Sequence, residues 1–374
     1  MSPCLFISAG EVSGDHFAAG LLLALKARCP GLRAYGLGGP QLQAAGLCLL
    51  ADVRARAAVG LSENLSGLPY FWALHRQLRG WLRQVRPQAV LLVDFQGFNL
   101  QLAATAKSLG IPVIYFVAPQ DWLWGFAAGV RRIVASVDLL LAVFEPEAEF
   151  YRGKGAQVVH TGHPLLDMLP QLSREQARHR LGLPQTERVV CWMPGSRTGE
   201  VARLLPVLKQ VQAALPPGWT HLLPQAAGFL ATDPAAFPAL RLPAERRYDA
   251  MLAADAVIGA SGSMVLEAAL LARPVVALYK VSGLTYAVAR RLVRLPWITL
   301  PNLLLQQPLV PEYIQDLPPD AIAAALISQM QDPEKWQEAA LTLASRLGPP
   351  GAWQRAAEAV LDFLEAKPGL TAMP

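Results

Sequence analysis

Short apolar runs alternate along the chain with longer segments whose apolar residues recur every three or four positions. Leu5–Ser8, Arg33–Leu37, Ala89–Val93, Val113–Val117, Leu139–Val143 and Val158–Thr161 read as strands, several of them apolar enough to be buried on both faces. The stretches Phe17–Arg28, Gln41–Ala45, Phe71–Val85 and Leu100–Leu109 carry helical spacing. This alternation predicts an α/β fold with a parallel sheet covered by helices. A polar, proline-bearing stretch, Leu169–Thr186, interrupts the series. Beyond it, strand-like Arg188–Met193, His221–Leu223, Ala256–Ile258 and Val275–Leu278 resume the pattern, with a helical Val201–Ala214. Two Rossmann-like domains are expected, at 1–168 and 187–350. The tail, 351–374, contains the amphipathic Trp353–Leu364, which either closes the second domain or packs back on the first.

Composition narrows the class. A chain of 374 residues, 53% hydrophobic and 16% charged, has enough apolar surface for two cores and no low-complexity bias. Its longest apolar stretches, such as Leu139–Phe144, fall well short of the roughly 18 residues a membrane-spanning helix needs. No basic segment precedes the first apolar run, which therefore reads as a strand and not as a signal peptide. The four cysteines are scattered, with no CxxC pair and no histidine at ligand spacing. That pattern suits a reduced, cytoplasmic protein without structural zinc. A net charge of +5 fits phosphorylated small molecules, an anionic membrane surface or nucleic acid, but the arginines are dispersed and charge alone does not choose.

In open α/β sheets ligands sit beyond the carboxyl ends of the strands, so the residues after each strand carry the chemistry. Pro194-Gly195-Ser196-Arg197 follows one strand; its turn can converge backbone N–H groups on an anion, and Arg197 adds a fork of donors. An ordinary strand–helix turn is the alternative. Ser261-Gly262-Ser263 follows another strand and opens a helix, a favourable place for a diphosphate. Glu267, about one turn in, could accept from ribose hydroxyls or simply be solvated. Together these loops point to a nucleotide diphosphate in the second domain.

The first domain opens with "ISAGEVSGDHFAAG", Ile7 to Gly20, which lacks the GxGxxG spacing of a dinucleotide site and carries acids where a phosphate would be repelled. Hydride transfer is disfavoured. Ser13 or Asp15 is expected to cap the following helix. Glu11 is left for sugar hydroxyls or proton transfer. Asp94 ends a buried strand in "LLVDFQGFNL" and suits a general base, with Asn99 either orienting it or capping a helix. His163 in "TGHPLLD", Trp122 and Trp124 in "APQDWLWGF", and Asn302 and Glu312 are further candidates, each with an equally ordinary packing role.

Eight segments in order, "AGEVSGD", "GLGGPQLQAAG", "VDFQGFN", "APQDWLW", "GHPLLD", "PGSRTGEV", "ASGSMVLEAAL" and "LPNLLLQQPLVPE", make the chain resemble the lipid-A-disaccharide synthase family over nearly its whole length. The resemblance implies a GT-B fold, two Rossmann-like domains facing each other across a cleft. It implies an inverting transfer of 2,3-diacylglucosamine from its UDP derivative to 2,3-diacylglucosamine 1-phosphate, without metal or cofactor. Asp94 then matches the general base, and Glu11 a second acid needed for activity. Gly195, Ser196, Arg197, Ser261, Gly262, Ser263, Glu267, Asn302 and Glu312 fall to UDP and donor. Ser13, Gln120, Trp122 and His163 fall to the acceptor side. Acyl chains and the inner-membrane surface are expected to meet Leu61, Leu65, Leu68, Phe71 and Trp72 within the basic, apolar stretch Val59–Leu82. No nucleic-acid partner is implied, and an oligomer is compatible. The rival readings are another GT-B enzyme, such as a UDP-N-acetylglucosamine transferase or 2-epimerase, and a non-catalytic lipid- or nucleotide-binding paralogue.

Overall fold

Ala89–Val93 is buried at every position and lies at the middle of a sheet, as a wholly apolar run of five residues should. In the computed structural model, which describes residues 3–53, 68–225, 237–292 and 295–366, this run is β4 of a seven-stranded parallel sheet. Its companions are β1 (Cys4–Ala9), β2 (Arg33–Gly38), β3 (Cys48–Asp52), β5 (Val113–Phe116), β6 (Leu139–Ala142) and β7 (Val158–His160). The spatial order is β3-β2-β1-β4-β5-β6-β7. Register sets Ala9 opposite Val93, so β1 and β4 end side by side.

A second sheet of six strands is also parallel. It contains β8 (Val189–Met193), β9 (Thr220–Gln225), β10 (Leu240–Pro243), β11 (Ala256–Ala260), β12 (Val275–Tyr279) and β13 (Glu312–Ile314), in the order β10-β9-β8-β11-β12-β13. In each sheet the winding reverses once, between β1 and β4 and between β8 and β11. Those two switch points are where an open α/β sheet leaves a crevice for a ligand. The edge strands β3, β10 and β13 were not anticipated. They are short and half-exposed, and β10 and β13 show no continuous apolar run.

The chain divides into two units, Met1–Asp167 with Leu347–Pro374, and Met168–Arg346. The polar stretch expected as a linker thus belongs to the second unit. It forms a helix, Arg174–Leu181, opened by a capping box between Ser173 and Gln176. Arg178 in that helix is fully buried and donates to the carbonyls of Ala253 and Gln185 and to the Asp255 carboxylate. Its charge is spent on anchoring, which is why the stretch is polar yet folded.

The C-terminal helix, Ala352–Glu365, packs on the helix Val12–Arg28 of the first unit, burying Ala356, Ala357, Val360 and Leu364. Trp353 fills the space a side chain at Gly20 would occupy, and its indole N–H donates to the Phe17 carbonyl at 3.1 Å. Asp167 caps the helix by accepting from the Gly351 and Trp353 N–H groups.

The helix Leu68–Val85 corrects one expectation. Phe71, Leu74, Leu78 and Leu82 form its buried face, and the Phe71 ring packs against Phe95 and Phe98 at 5.9 and 5.7 Å. Phe71 is therefore a core residue, because the helix turns it inward while its neighbour Trp72 stays 65% exposed. Arg76 lies over the Trp72 ring at 4.9 Å, and Arg79 and Arg83 extend the same exposed stripe. Leu61, Leu65 and the Leu68 side chain lie outside the described residues. Among the described residues no helix is long and apolar enough to cross a membrane.

Candidate active site

At the first switch point, β1 runs through Gly10 into a helix that starts at Val12, earlier than its sequence suggests. Glu11 occupies the N-cap position in extended conformation, without a side-chain capping bond, and its carbonyl accepts from the Asp15 N–H. Ser13 and Asp15 are thus inside the first turn and do not cap it. Asp15 is completely buried. Its carboxylate accepts from the N–H groups of Gly39 (2.7 Å), Gln41 (3.1 Å) and Leu42 (3.2 Å). It pins the loop after β2 and the start of the helix Pro40–Ala44, so its charge is met by backbone donors.

Asp94 follows β4 with φ 51°, and Phe95 follows it with φ 55°. Two successive non-glycine residues in the left-handed region cost about 1–3 kcal/mol each, and persist only where the surroundings impose them. The surroundings here are explicit. The Asp94 carbonyl accepts from Asn99 Nδ2 at 2.7 Å and from the Tyr115 hydroxyl at 2.9 Å. The Phe95 ring is buried and lies where a side chain at Gly10 would be, 2.4 Å from an added Cβ. Gly14 likewise allows the Asp94 Cβ to approach. Each hydrogen bond contributes roughly 0.5–1.5 kcal/mol, and burying the phenylalanine roughly 1.5–3 kcal/mol, enough to hold the pair. The half-buried Asp94 carboxylate accepts from the Phe95 N–H at 2.9 Å, and the Ser13 hydroxyl reaches its Oδ2 at 3.4 Å.

The loop after β5 lies next in the sheet, and Val117 at its start also has a positive φ, 52°. Trp122 donates to Gln120 Oε1 at 3.1 Å and packs beside Phe144 and Phe150, half in the core. Asp121, which the sequence did not single out, is buried and accepts a two-pronged bond from Gln96 Nε2. Burial pushes its carboxyl above the usual range, against the Gln96 bond. His163 is 6% exposed, edge-on to Phe17, and its Nδ1 accepts from the Leu165 N–H at 3.1 Å. Burial lowers its pKa to about 4, so it stays neutral near pH 7. Its ring packs between Phe17 and Phe144.

At the second switch point, Gly195 takes φ 121°, and a side chain there would strike the Glu200 carboxylate. Arg197 sits at the N-cap of the helix Thr198–Ala214, half-exposed, with Ser196 exposed beside it. After β11, Ser261 is half-buried, and Gly262 and Ser263 are exposed at the start of the helix Ser263–Leu270. No atom lies within 4 Å of a side chain built at Gly262. Glu267 is buried, 3.5 Å from Arg247 Nε, and Arg247 stacks on Tyr248. Burial raises the Glu267 pKa and Arg247 opposes the rise.

Asn302 is buried and Glu312 half-buried. Asn302 has no exposed surface; its amide donates to the Val310 carbonyl and Glu312 Oε1 and accepts from the Val310 N–H. The Glu312 carboxylate also accepts from the Ile298 and Thr299 N–H groups and the Thr299 hydroxyl. Together they lock the loop that carries them. Tyr115, which donates to the Asp94 carbonyl, Ser8, which donates to Asn99, and the Gln96–Asp121 pair were not singled out in the sequence, since strand order brings them together.

Among known proteins, a profile of the family described as lipid-A-disaccharide synthetase matches residues 5–346. The chain is similar to the lipid-A-disaccharide synthase of Syntrophus aciditrophicus, 38% identical over 97% of this chain and 98% of that one. It is also similar to the lipid-A-disaccharide synthase of Pseudomonas aeruginosa (strain UCBPP-PA14), 37% identical over 96% and 97%. Among solved structures, a putative UDP-N-acetylglucosamine 2-epimerase from Listeria monocytogenes superposes with TM-score 0.65 at 12% identity, covering 100% of this chain and 98% of that one. The calicheamicin glycosyltransferase CalG4 gives TM-score 0.61 at 15% identity, covering 98% and 99%. These two likenesses concern the two-domain fold alone.

Proposed function

We propose a division of labour for this chain, which belongs to the lipid-A-disaccharide synthetase family and is therefore a glycosyltransferase that forms the lipid A disaccharide. The donor is the UDP derivative of 2,3-diacylglucosamine and the acceptor is 2,3-diacylglucosamine 1-phosphate. Asp94 takes the proton of the acceptor's 6-hydroxyl as that oxygen attacks the anomeric carbon. The bond from that carbon to the UDP oxygen breaks with its electron pair going to UDP, the configuration inverts, and a β-1,6 linkage forms. Glu11 and Ser13, on the turn beside Asp94, orient acceptor hydroxyls, and Gln120 and Trp122 flank them.

Charge growing on UDP is met by the Arg197 guanidinium and the N–H groups that open the helix Ser263–Leu270. Gly195, Ser196 and Ser261 shape those turns, and Glu267 takes the ribose hydroxyls. No metal or cofactor is assigned a step. The exposed Trp72 with Arg76, Arg79 and Arg83 suits a peripheral hold on the anionic inner-membrane surface, with Leu61, Leu65 and Leu68 assigned to acyl chains.

The observation that carries this reading is the left-handed Asp94–Phe95 pair at the switch point of the first sheet. Incubation with both lipid substrates should yield the disaccharide 1-phosphate by mass spectrometry. Release of UDP without a disaccharide would remove the assigned acceptor.

A further inference from the structure

Two fully buried polar side chains converge on one backbone atom in the first unit. Asn99 and Tyr115 come from different elements, the helix Gln96–Ser108 and strand β5, and both donate to the carbonyl of Asp94. Neither is near the surface. Asn99 is itself fixed: its Oδ1 accepts from the Ser8 hydroxyl at 2.6 Å, and its Nδ2 also lies 3.2 Å from the Ser8 carbonyl and 3.3 Å from that of Val93. It therefore gauges the gap between the ends of β1 and β4. A peptide leaving a strand in left-handed conformation turns its carbonyl away from the ladder, and a buried carbonyl without a donor is costly. The donors that rescue it also choose the direction of the next bond, Cα to Cβ, and so the aim of the carboxylate.

We infer that Asn99 and Tyr115, set by Ser8, are positioning residues for Asp94. They hold the Asp94 peptide in its strained conformation and thereby aim the carboxylate at the hydroxyl it deprotonates. The inference rests on the reading of Asp94 as base and adds the device that makes the base effective. A purely structural pair would serve stability alone, and phenylalanine would replace Tyr115 without kinetic consequence. A positioning pair separates the two. Misplacing a reacting group by about 1 Å can cost on the order of 100-fold in rate while leaving ground-state binding intact.

The test compares Tyr115→Phe, Asn99→Ala and Asp94→Asn in steady-state transfer, with melting temperature and UDP affinity measured on each. Asparagine tolerates the left-handed region, so Asp94→Asn removes the base and keeps the turn. Tyr115→Phe should lower kcat about 10-fold and Asn99→Ala about 100-fold. KM for both substrates and the UDP affinity should stay at the wild-type value, and Tyr115→Phe should melt near the wild type. Wild-type kcat in Tyr115→Phe, or a kcat loss matched by a rise in KM, overturns the inference while an inactive Asp94→Asn leaves the base in place. Full turnover by Asp94→Asn overturns the base, and the positioning role with it. Should Asn99→Ala fail to fold, Tyr115→Phe alone decides.

Discussion

The turns after β1 and β11, one at each switch point, are built from the same ingredients and do opposite things with them. Both carry glycine after a strand and before a helix. In the first unit the glycines are packed: a side chain at Gly10 would strike the Phe95 ring, and one at Gly14 would press on Asp94. In the second unit Gly195 also admits an acid, Glu200, whereas Gly262, after β11, faces open space at the start of a helix, whose first N–H groups have no intrahelical partner. The turn after β1 thus uses glycine to bring an acid close, and the turn after β11 to leave room for an anion. Glycine content alone does not separate a phosphate cradle from a carboxylate support; what lies over each glycine does.

The sharpest break of this comparison is Asp94→Asn, which should lower turnover by about 1000-fold, within the usual range for a lost general base. Near-normal disaccharide formation would return the first switch point to a binding role.

Next in size is acid sensitivity in the first unit. His163 is neutral when folded, with a pKa of about 4 against an ordinary 6.5, so the unfolded chain binds the extra proton between those values. Its contribution is complete above pH 6.5 and is lost as pH falls to 4, roughly 3 kcal/mol in all. His163→Asn, which keeps an acceptor for the Leu165 N–H, should flatten the fall in melting temperature between pH 6.5 and 4.5. An unchanged slope would place the acid-sensitive group elsewhere.

The glycines give a smaller, paired contrast. Gly10→Ala should cost about 1–3 kcal/mol through overpacking. Gly262→Ala should change stability by less than about 0.5 kcal/mol, yet weaken UDP binding. Equal melting temperatures for the two would erase the distinction drawn above.

A pH effect of opposite sign concerns Glu147, buried with its pKa raised to about 8, and amounts to about 2 kcal/mol between pH 6.5 and 8. The unfolded chain is ionised there while the folded one is not, so stability falls as pH rises from about 4.5 toward 8. Glu147→Gln should remove that decline, as read by melting temperature at pH 6.5 and 8; a persisting decline would contradict the burial argument.

Much of this frame is legible in the amino-acid sequence. Runs such as Ala89–Val93 and Ala256–Ile258 are apolar on both faces and announce interior parallel strands. Residues at their tips, Asp94 and Ser261 among them, follow from the rule that ligands gather at carboxyl ends. The edge strands β10 and β13 escaped because half-exposed segments of three and four residues leave no periodic trace, and β3 because an apolar run as short as Cys48–Ala51 does not by itself tell strand from helix. Phe71 was misplaced because adjacent helical residues point about 100° apart, and apolarity alone does not say which one faces the core. For Asn302 and Glu312 the motif fixes where each stands along the chain and leaves open what its side chain meets, here the loop that carries them. The clamp on Asp94 is legible only in three dimensions, since Ser8, Asn99 and Tyr115 are brought together by strand order.

The central claim is that proton transfer belongs to the first switch point and nucleotide binding to the second. Calorimetric titration of UDP into Asp94→Asn and Arg197→Ala, side by side, tests it most directly. We predict wild-type UDP affinity in Asp94→Asn and at least about 10-fold weaker binding in Arg197→Ala, the loss expected for a charge-assisted contact. Unchanged affinity in Arg197→Ala, or a comparable loss in Asp94→Asn, would contradict the division.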